Sequence, residues 1–424
     1  MWLLRGGTVC CPVSQTFGRR DVRIADGRIV EVGEDLAPRG ERELDCRGLH
    51  LIPALVDLGS ELGDPGETWR EDLASGALAA AAGGFGTVVV SPATSPVIDQ
   101  ASLVGDVLSR ARGLPGARLR VAGALTEQLD GRELAELNDL VEAGAVALSD
   151  GARGLSDALV LRNALEYARP LRVPVMLRPC EASLEERGCM HEGEVSVAVG
   201  LHGVPAASEE IGVARAISLV RLTGCALHLS HVTTEHALRA LAAARAEGLP
   251  ITAGAPARHL VLTDQAIDDG EYNSNLRLSP PLRPERDRRA LVEAARAGLL
   301  DVVSADHVPW SRVEKELEFA LASPGAVGLE SAFAAAWTAL GDLEALVMAM
   351  SVRPGRKIGL EPALRPGAPA DVAVVDLDAV GPLAPPMRSR GMNEPLAGRS
   401  LRGRVRATLV GGGLAWENPA AVIR

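Results

Sequence analysis

A (β/α)8 barrel of the TIM type, with a small β-sandwich domain formed by both termini, is the fold this sequence predicts. Eight short apolar runs recur through the middle of the chain, each followed by residues at helical spacing, which is the mark of βα units. The two ends carry alternating runs with tight-turn signals instead. The length, 424 residues with 47% hydrophobic side chains, suits one large barrel and one smaller domain.

Taken in order, the first fifty residues read as a small sheet: runs at 3–9 and 21–30 are β-like, and Asp26-Gly27 supplies a hairpin turn. Similar runs return at 370–377 and 404–413, so residues 1–53 and 360–424 are assigned to one composite β domain and 54–359 to the barrel. Barrel strands are expected at 55–59, 87–91, 119–124, 145–149, 174–178, 226–230, 251–254 and 301–306. The spacing of Leu73, Ala77, Leu78 and Ala81 predicts an outer helix over 69–82. Gly83-Gly84-Phe85-Gly86 and Gly411-Gly412-Gly413 lack the Gly-Lys-Ser/Thr continuation of a phosphate loop and are read as turns.

Composition narrows the partners. Lys plus Arg number 44 against 55 Asp plus Glu, a net charge of −11, so the basic footprint of a nucleic-acid or anionic-membrane binder is missing. Six cysteines without C-x-x-C spacing, no basic-apolar leader and no apolar run of about 18 residues point to reduced thiols in a soluble, cytoplasmic protein. Symmetric homo-oligomerisation is the base expectation. The Arg-rich segments at 389–391 and 399–404 are candidate docking surfaces or simply solvated faces.

A barrel does its chemistry at the carboxyl ends of its strands. Those positions hold Gly59 and Glu61 after strand one, Ser91-Pro92-Ala93 after strand two and Asp150 after strand four. Arg178 follows strand five, His231 strand six, and Asp306-His307 strand eight. Zinc wants about four N or O donors, yet imidazoles stand at only two of these ends.

The chain resembles the dihydroorotases of the amidohydrolase superfamily along nearly its whole length. The resemblance is carried by Asp64-Pro65-Gly66, the Ala-Gly run 79–87, Ser95-Pro96-Val97-Ile98-Asp99 and Met190-His191-Glu192-Gly193-Glu194. It continues through His228-Leu229-Ser230-His231-Val232-Thr233-Thr234, Ser279-Pro280-Pro281-Leu282-Arg283, Ala305-Asp306-His307-Val308-Pro309 and Gly328-Leu329-Glu330-Ser331-Ala332. It implies a zinc pair sharing a bridging hydroxide that acts on a cyclic amide carbon, with a last-strand carboxylate moving the proton. Carried over, the family's metal positions fall on Gly59, Glu61, Asp150, Arg178, His231 and Asp306, so three ligand histidines are missing. The substrate-carboxylate Arg falls on Gly63 and two substrate Asn residues on Ala93 and Ser279. Glycine offers no donor in place of a guanidinium clamp.

These departures lead to the expectation of a non-catalytic, dihydroorotase-like subunit of pyrimidine biosynthesis. It would need no cofactor and would serve as scaffold to aspartate carbamoyltransferase, the partner that the resemblance implies for such degenerate homologues. Asp306 and the metal positions would then be vestigial. The alternative is an active zinc-dependent dihydroorotase holding one zinc ion with Glu61 as an oxygen ligand; a third reading is activity on another cyclic amide. Arg178 is expected to fill the metal space by pairing with Asp306 or Glu61, or to meet an anionic metabolite. His231 is either a ligand or a hydrogen-bonded core imidazole. His228, His259 and His307 are read as packing or loop residues, and Cys180 and Cys189 as thiols of adventitious reactivity.

Overall fold

The computed structural model describes residues 1–268, 270–383 and 387–418; of the segment assigned to the C-terminal part of the β domain, 384–386 and 419–424 lie outside them. Eight parallel strands, Leu55–Ser60, Phe85–Val90, Arg118–Gly123, Ala147–Ser149, Val175–Leu177, Leu227–Leu229, Ile251–Pro256 and Val302–Ser304, pair in chain order. All eight predicted strands are present with ends displaced by a few residues. The seam between the first and last strand is bridged rather than fully laddered. Glu61 N–H donates to His307 O at 2.8 Å, and the fully buried Asp57 carboxylate accepts from Ala305 N at 2.7 Å.

Inside the barrel, Val56, Leu58, Val89, Ala122, Ala147, Met176 and Val302 form one buried cluster, the interior layer a packed barrel requires. The predicted helix over 69–82 begins later, at Leu73–Ala82, because Asp72 caps it by accepting from Ser75 N at 2.7 Å. Arg70 is drawn off the helix. Its guanidinium donates to Pro309 O at 2.9 Å and stacks 3.5 Å from the centroid of Trp310.

Both ends of the chain build a second, eight-stranded sheet. Trp2–Cys11 pairs with Thr16–Ala25 and with His50–Pro53, which in turn pairs antiparallel with Val372–Gly381, followed by Leu401–Val410 and Gly413–Glu417. The Arg-rich 399–404 segment runs into that sheet. Arg404 donates to Leu401 O and Pro382 O, and Arg402 lies over Trp337. Among the described residues no helix is long and apolar enough to cross a membrane.

Candidate active site

The strand ends open into a cleft of about 640 Å³ counting its mouth, lined by Gly59, Glu61, Ser91, Ser149, Gly151, Ser230, His231 and Asp306 among polar and small residues, and by Leu58, Pro92, Met176, Val302 and Val308. Among the described residues no Arg or Lys lines it. Asp306 is the hub. Its Oδ1 faces His231 Nε2 at 3.0 Å and its Oδ2 accepts from Arg258 Nη1 at 2.7 Å. Burial alone would raise this carboxyl, but the Arg258 guanidinium and His231 outweigh it and hold it well below the usual carboxylate range. A carboxylate that stays ionised accepts only, so His231 presents Nε2–H to it and leaves Nδ1 to accept from Ser230 Oγ at 2.8 Å. Asp306 has φ +47°, the left-handed region where a non-glycine residue stores strain and which clusters at working sites.

Arg258 comes from the segment after strand seven and is 3% exposed. It also donates to Ala305 O, Asp306 O, Ala326 O and Val327 O. Room for it exists because residue 328 is glycine: a Cβ there would sit 2.6 Å from Arg258 Nη2 and 2.0 Å from Ala305 O. Glu61, on the other lip, accepts from Arg70 Nη2 at 3.1 Å. Burial pushes its carboxyl up, and Arg70 offsets only part of that.

The predicted positions therefore divide. Glu61, His231 and Asp306 share the cleft, and Gly59 lines it with open space beyond its Cα. Asp150 turns away, accepting from Leu125 N, Thr126 N and Thr126 Oγ1; burial raises it despite those donors. Arg178 does not reach Asp306 or Glu61. It pairs with Glu185 at 2.8 Å and donates to Ala152 O, while Arg258 and Arg70 take the two carboxylates. Strand five ends at Leu177, and Arg178, the first residue past it, finds its carboxylate in Glu185 of the loop that follows.

Gly63, Ala93 and Ser279 lie outside the cleft lining; at Gly63, with φ +64°, a Cβ would stand 2.7 Å from Glu67 O, so no side chain is accommodated. Of the histidines read as packing or loop residues, His228 Nδ1 meets Thr252 Oγ1 at 3.0 Å beside the cleft, His259 Nε2 meets Pro280 O, and His307 Nδ1 accepts from Gly328 N. Cys180 and Cys189 are buried, and burial pushes both thiols up, the opposite of activation. The sequence reading missed Arg258, Arg70 and the hydroxyl of Ser230. A lone arginine among Gly254-Ala255-Pro256-Ala257, at a barrel mouth, was the signal for the first.

The donor set does not fit a zinc pair. Asp306 is engaged by a cation on one oxygen and by His231 on the other, Glu61 by Arg70, and Asp150 by three hydrogen-bond donors. Among the described residues no group of three or more His, Cys, Asp or Glu is placed to hold a metal ion.

Residues 48–237 match the family model "Dihydro-orotase-like". Over 99% of this chain and 98% of its own length, a protein named dihydroorotase from Anaeromyxobacter dehalogenans (strain 2CP-1) is 41% identical. Dihydroorotases from Pelotomaculum thermopropionicum and Deinococcus radiodurans are 39% and 40% identical, covering 98% and 91% of the chain and 98% and 93% of themselves. Among solved structures, L-hydantoinase (dihydropyrimidinase) from Arthrobacter aurescens superposes with TM-score 0.85 over 98% of this chain and 96% of its own, at 21% identity, a likeness of fold. The expectation of a non-catalytic scaffold is overturned by these relatives, which match over nearly their whole length and are named as the enzyme. The chain belongs to the dihydroorotase family.

Proposed function

We propose that this protein is a cyclic amide hydrolase that interconverts dihydroorotate and carbamoyl aspartate. The carrying observation is the 41% identity over 99% of the chain to proteins named dihydroorotase. The cleft supports the same class of chemistry. Two carboxyl groups line it in environments that push them in opposite directions, Asp306 ionised and Glu61 toward its protonated form. Such a divergence assigns base and acid roles. Asp306 accepts from Nε2–H and so orients His231, whose Nδ1 takes the proton of the water that attacks the ring carbonyl. Glu61 supplies one to the departing nitrogen.

One observation favours a second reading, in which the ring is uncharged. Among the described residues no guanidinium or ammonium lines the cleft, whereas the carboxyl groups of Glu61 and Asp306 do, which disfavours a substrate carboxylate. Purified protein incubated in parallel with dihydroorotate, carbamoyl aspartate and the uncarboxylated ring dihydrouracil decides between them by product chromatography. Turnover of dihydroorotate or carbamoyl aspartate is the expected result. Turnover of dihydrouracil alone moves the assignment to the second reading. Failure on all three compounds defeats the proposal.

A further inference from the structure

We infer that Asn393 is a positioning residue for the cleft, fastening the loop after strand eight and, through it, the loop after strand one; this rests on the cyclic-amide reading above. Residues 387–394 stand in the chain between two strands of the terminal sheet, Val372–Gly381 and Leu401–Val410, yet they are bonded to loops at the barrel mouth. Asn393 is fully buried. Its Nδ2 donates to Val308 O at 2.9 Å and to Gly325 O at 3.0 Å, and its Oδ1 accepts from Trp310 N at 2.9 Å. Its main-chain carbonyl accepts from Val327 N at 3.2 Å, and Met392 N donates to Trp310 O at 3.2 Å. A primary amide offers two N–H donors and a carbonyl acceptor, and here every one of them is engaged. An aspartate in its place would turn two carbonyl oxygens against a carboxylate.

These bonds bear on both carboxyl groups of the cleft. Val308 lines the cleft two residues beyond Asp306, whose φ of +47° persists only where the surroundings over-determine the backbone. Val327, at the other end of the loop, gives its carbonyl to Arg258, the cation on Asp306 Oδ2. Trp310 carries the effect to the facing loop. Its ring centroid lies 3.5 Å from the Arg70 guanidinium, Arg70 Nε donates to Pro309 O at 2.9 Å, and Arg70 Nη2 donates to Glu61 at 3.1 Å. One buried amide therefore stands behind the placement of Asp306 and of Glu61.

The same segment is anchored on the strand-one side. Glu71 accepts from Ser389 Oγ and from Arg390 N, Arg390 Nη1 donates to Thr68 O at 2.9 Å, and Arg390 Nη2 pairs with Asp72 at 2.6 Å. Contact is so close that residue 391 has to be glycine: a Cβ there would stand 2.7 Å from Pro309 Cβ and 2.5 Å from Val327 Cγ1. A displacement of about 1 Å at reacting groups costs on the order of a hundredfold in rate. A side chain that touches no substrate atom can thus govern turnover by holding the two loops in register.

The test compares full-length Asn393→Ala with the unaltered protein by steady-state turnover of the three compounds named above, by thermal melting, and by hydrogen exchange of the peptide spanning 306–312, whose Trp310 N–H donates to the amide. Expected are a cooperative melt, exchange of that peptide faster by about tenfold, and kcat lower by about ten- to a hundredfold with KM within about threefold. Thr408→Ala removes the bond to Ala81 O and serves as the stability control: its melt should also fall, while kcat stays within about twofold. If the alanine protein does not melt cooperatively, Asn393→Ser, which retains one donor and one acceptor, takes its place. An unchanged kcat in a folded variant makes Asn393 an anchor of the fold alone and overturns the inference. Unchanged exchange, or failure of both variants to fold, overturns it too. Inactivity of the unaltered protein on all three compounds defeats the cyclic-amide reading and the catalytic half of the inference with it. Exchange is read without substrate, so it then still upholds or overturns the fastening of the loop.

Discussion

Arg258 and Gly328 form a matched pair at the residue scale. Five protein oxygens receive the guanidinium, and a missing Cβ lets it in. Arg258→Met leaves the Asp306 carboxylate buried without its cation, so a loss of about 3–5 kcal/mol is expected, measured by urea unfolding. Gly328→Ala should cost about 1–3 kcal/mol by forcing the guanidinium and the Ala305 carbonyl aside. Gly59→His, by contrast, meets no atom within 4 Å of its Cβ and should fold normally. It should not confer zinc binding, because Asp306 stays committed to Arg258. Metal analysis after zinc loading checks this.

The same scale holds a pH prediction. Burial, with Arg283 nearby, lowers His191 from 6.5 to about 4. A histidine whose folded pKa is depressed is bound by fewer protons in the fold than in the unfolded chain. Its contribution is therefore fully present above pH 6.5 and is lost as pH falls from 6.5 toward 4. Glu330 opposes this trend, because burial raises it to about 7 and penalises the fold as pH climbs from 4.5 toward 7. A single variant separates the two. The destabilisation caused by His191→Asn should shrink, by on the order of 1–3 kcal/mol, between pH 7 and pH 4.5 in chemical denaturation. A constant difference would contradict it.

At the scale of elements, the loop after strand six is what delivers Ser230 and His231, and a neighbouring helix holds it. Glu209, in the first turn of helix Ala206–Thr223, accepts from Thr233 N and Thr234 N, both at 2.8 Å, and faces Arg283 at 3.4 Å, with its side chain 3% exposed. Thr234 in turn caps helix Glu235–Ala246 by accepting from Ala237 N. Thr234→Ala should cost about 1 kcal/mol with a small effect on turnover. Glu209→Ala leaves Arg283 buried without its carboxylate and the loop amides without acceptors, so stability should fall by about 3–5 kcal/mol and turnover should drop with it. Unchanged turnover in a folded Glu209→Ala protein would show that the loop holds its place unaided.

For the whole molecule, the terminal sheet encloses a core of its own around Leu4, Val22, Leu51 and Val374 and packs other residues into the barrel's outer core. Ile52, Ala373, Val375, Leu377, Leu401 and Val405 of the sheet belong to the same buried cluster as the barrel residues Leu55, Phe85, Phe333 and Trp337. Polar ties cross the same boundary: Thr408 Oγ1 donates to Ala81 O at 2.7 Å, Trp337 Nε1 to Leu377 O at 3.0 Å, and Arg118 pairs with Asp371. A barrel expressed as residues 54–359 alone would expose that apolar face and should be insoluble or lack a cooperative melt. A soluble fragment with a sharp transition would show that the sheet is dispensable.

Local pattern was enough to read the eight strands and the terminal sheet, because apolar periodicity and turn chemistry act between near neighbours in the chain. It was also enough to place Glu61, His231 and Asp306 at one mouth, since a barrel gathers its strand ends whatever the details. Which cation meets which carboxylate was decided only in three dimensions. Arg178 and Arg258 both follow strand ends, yet one turns to Glu185 and the other to Asp306, 48 residues away. That choice depends on where each short strand stops, on the space left by Gly328, and on carbonyls contributed by distant loops. The Ser230 hydroxyl was visible as a letter but not as a partner of His231, because contact between adjacent residues depends on side-chain direction, which backbone and neighbours set together.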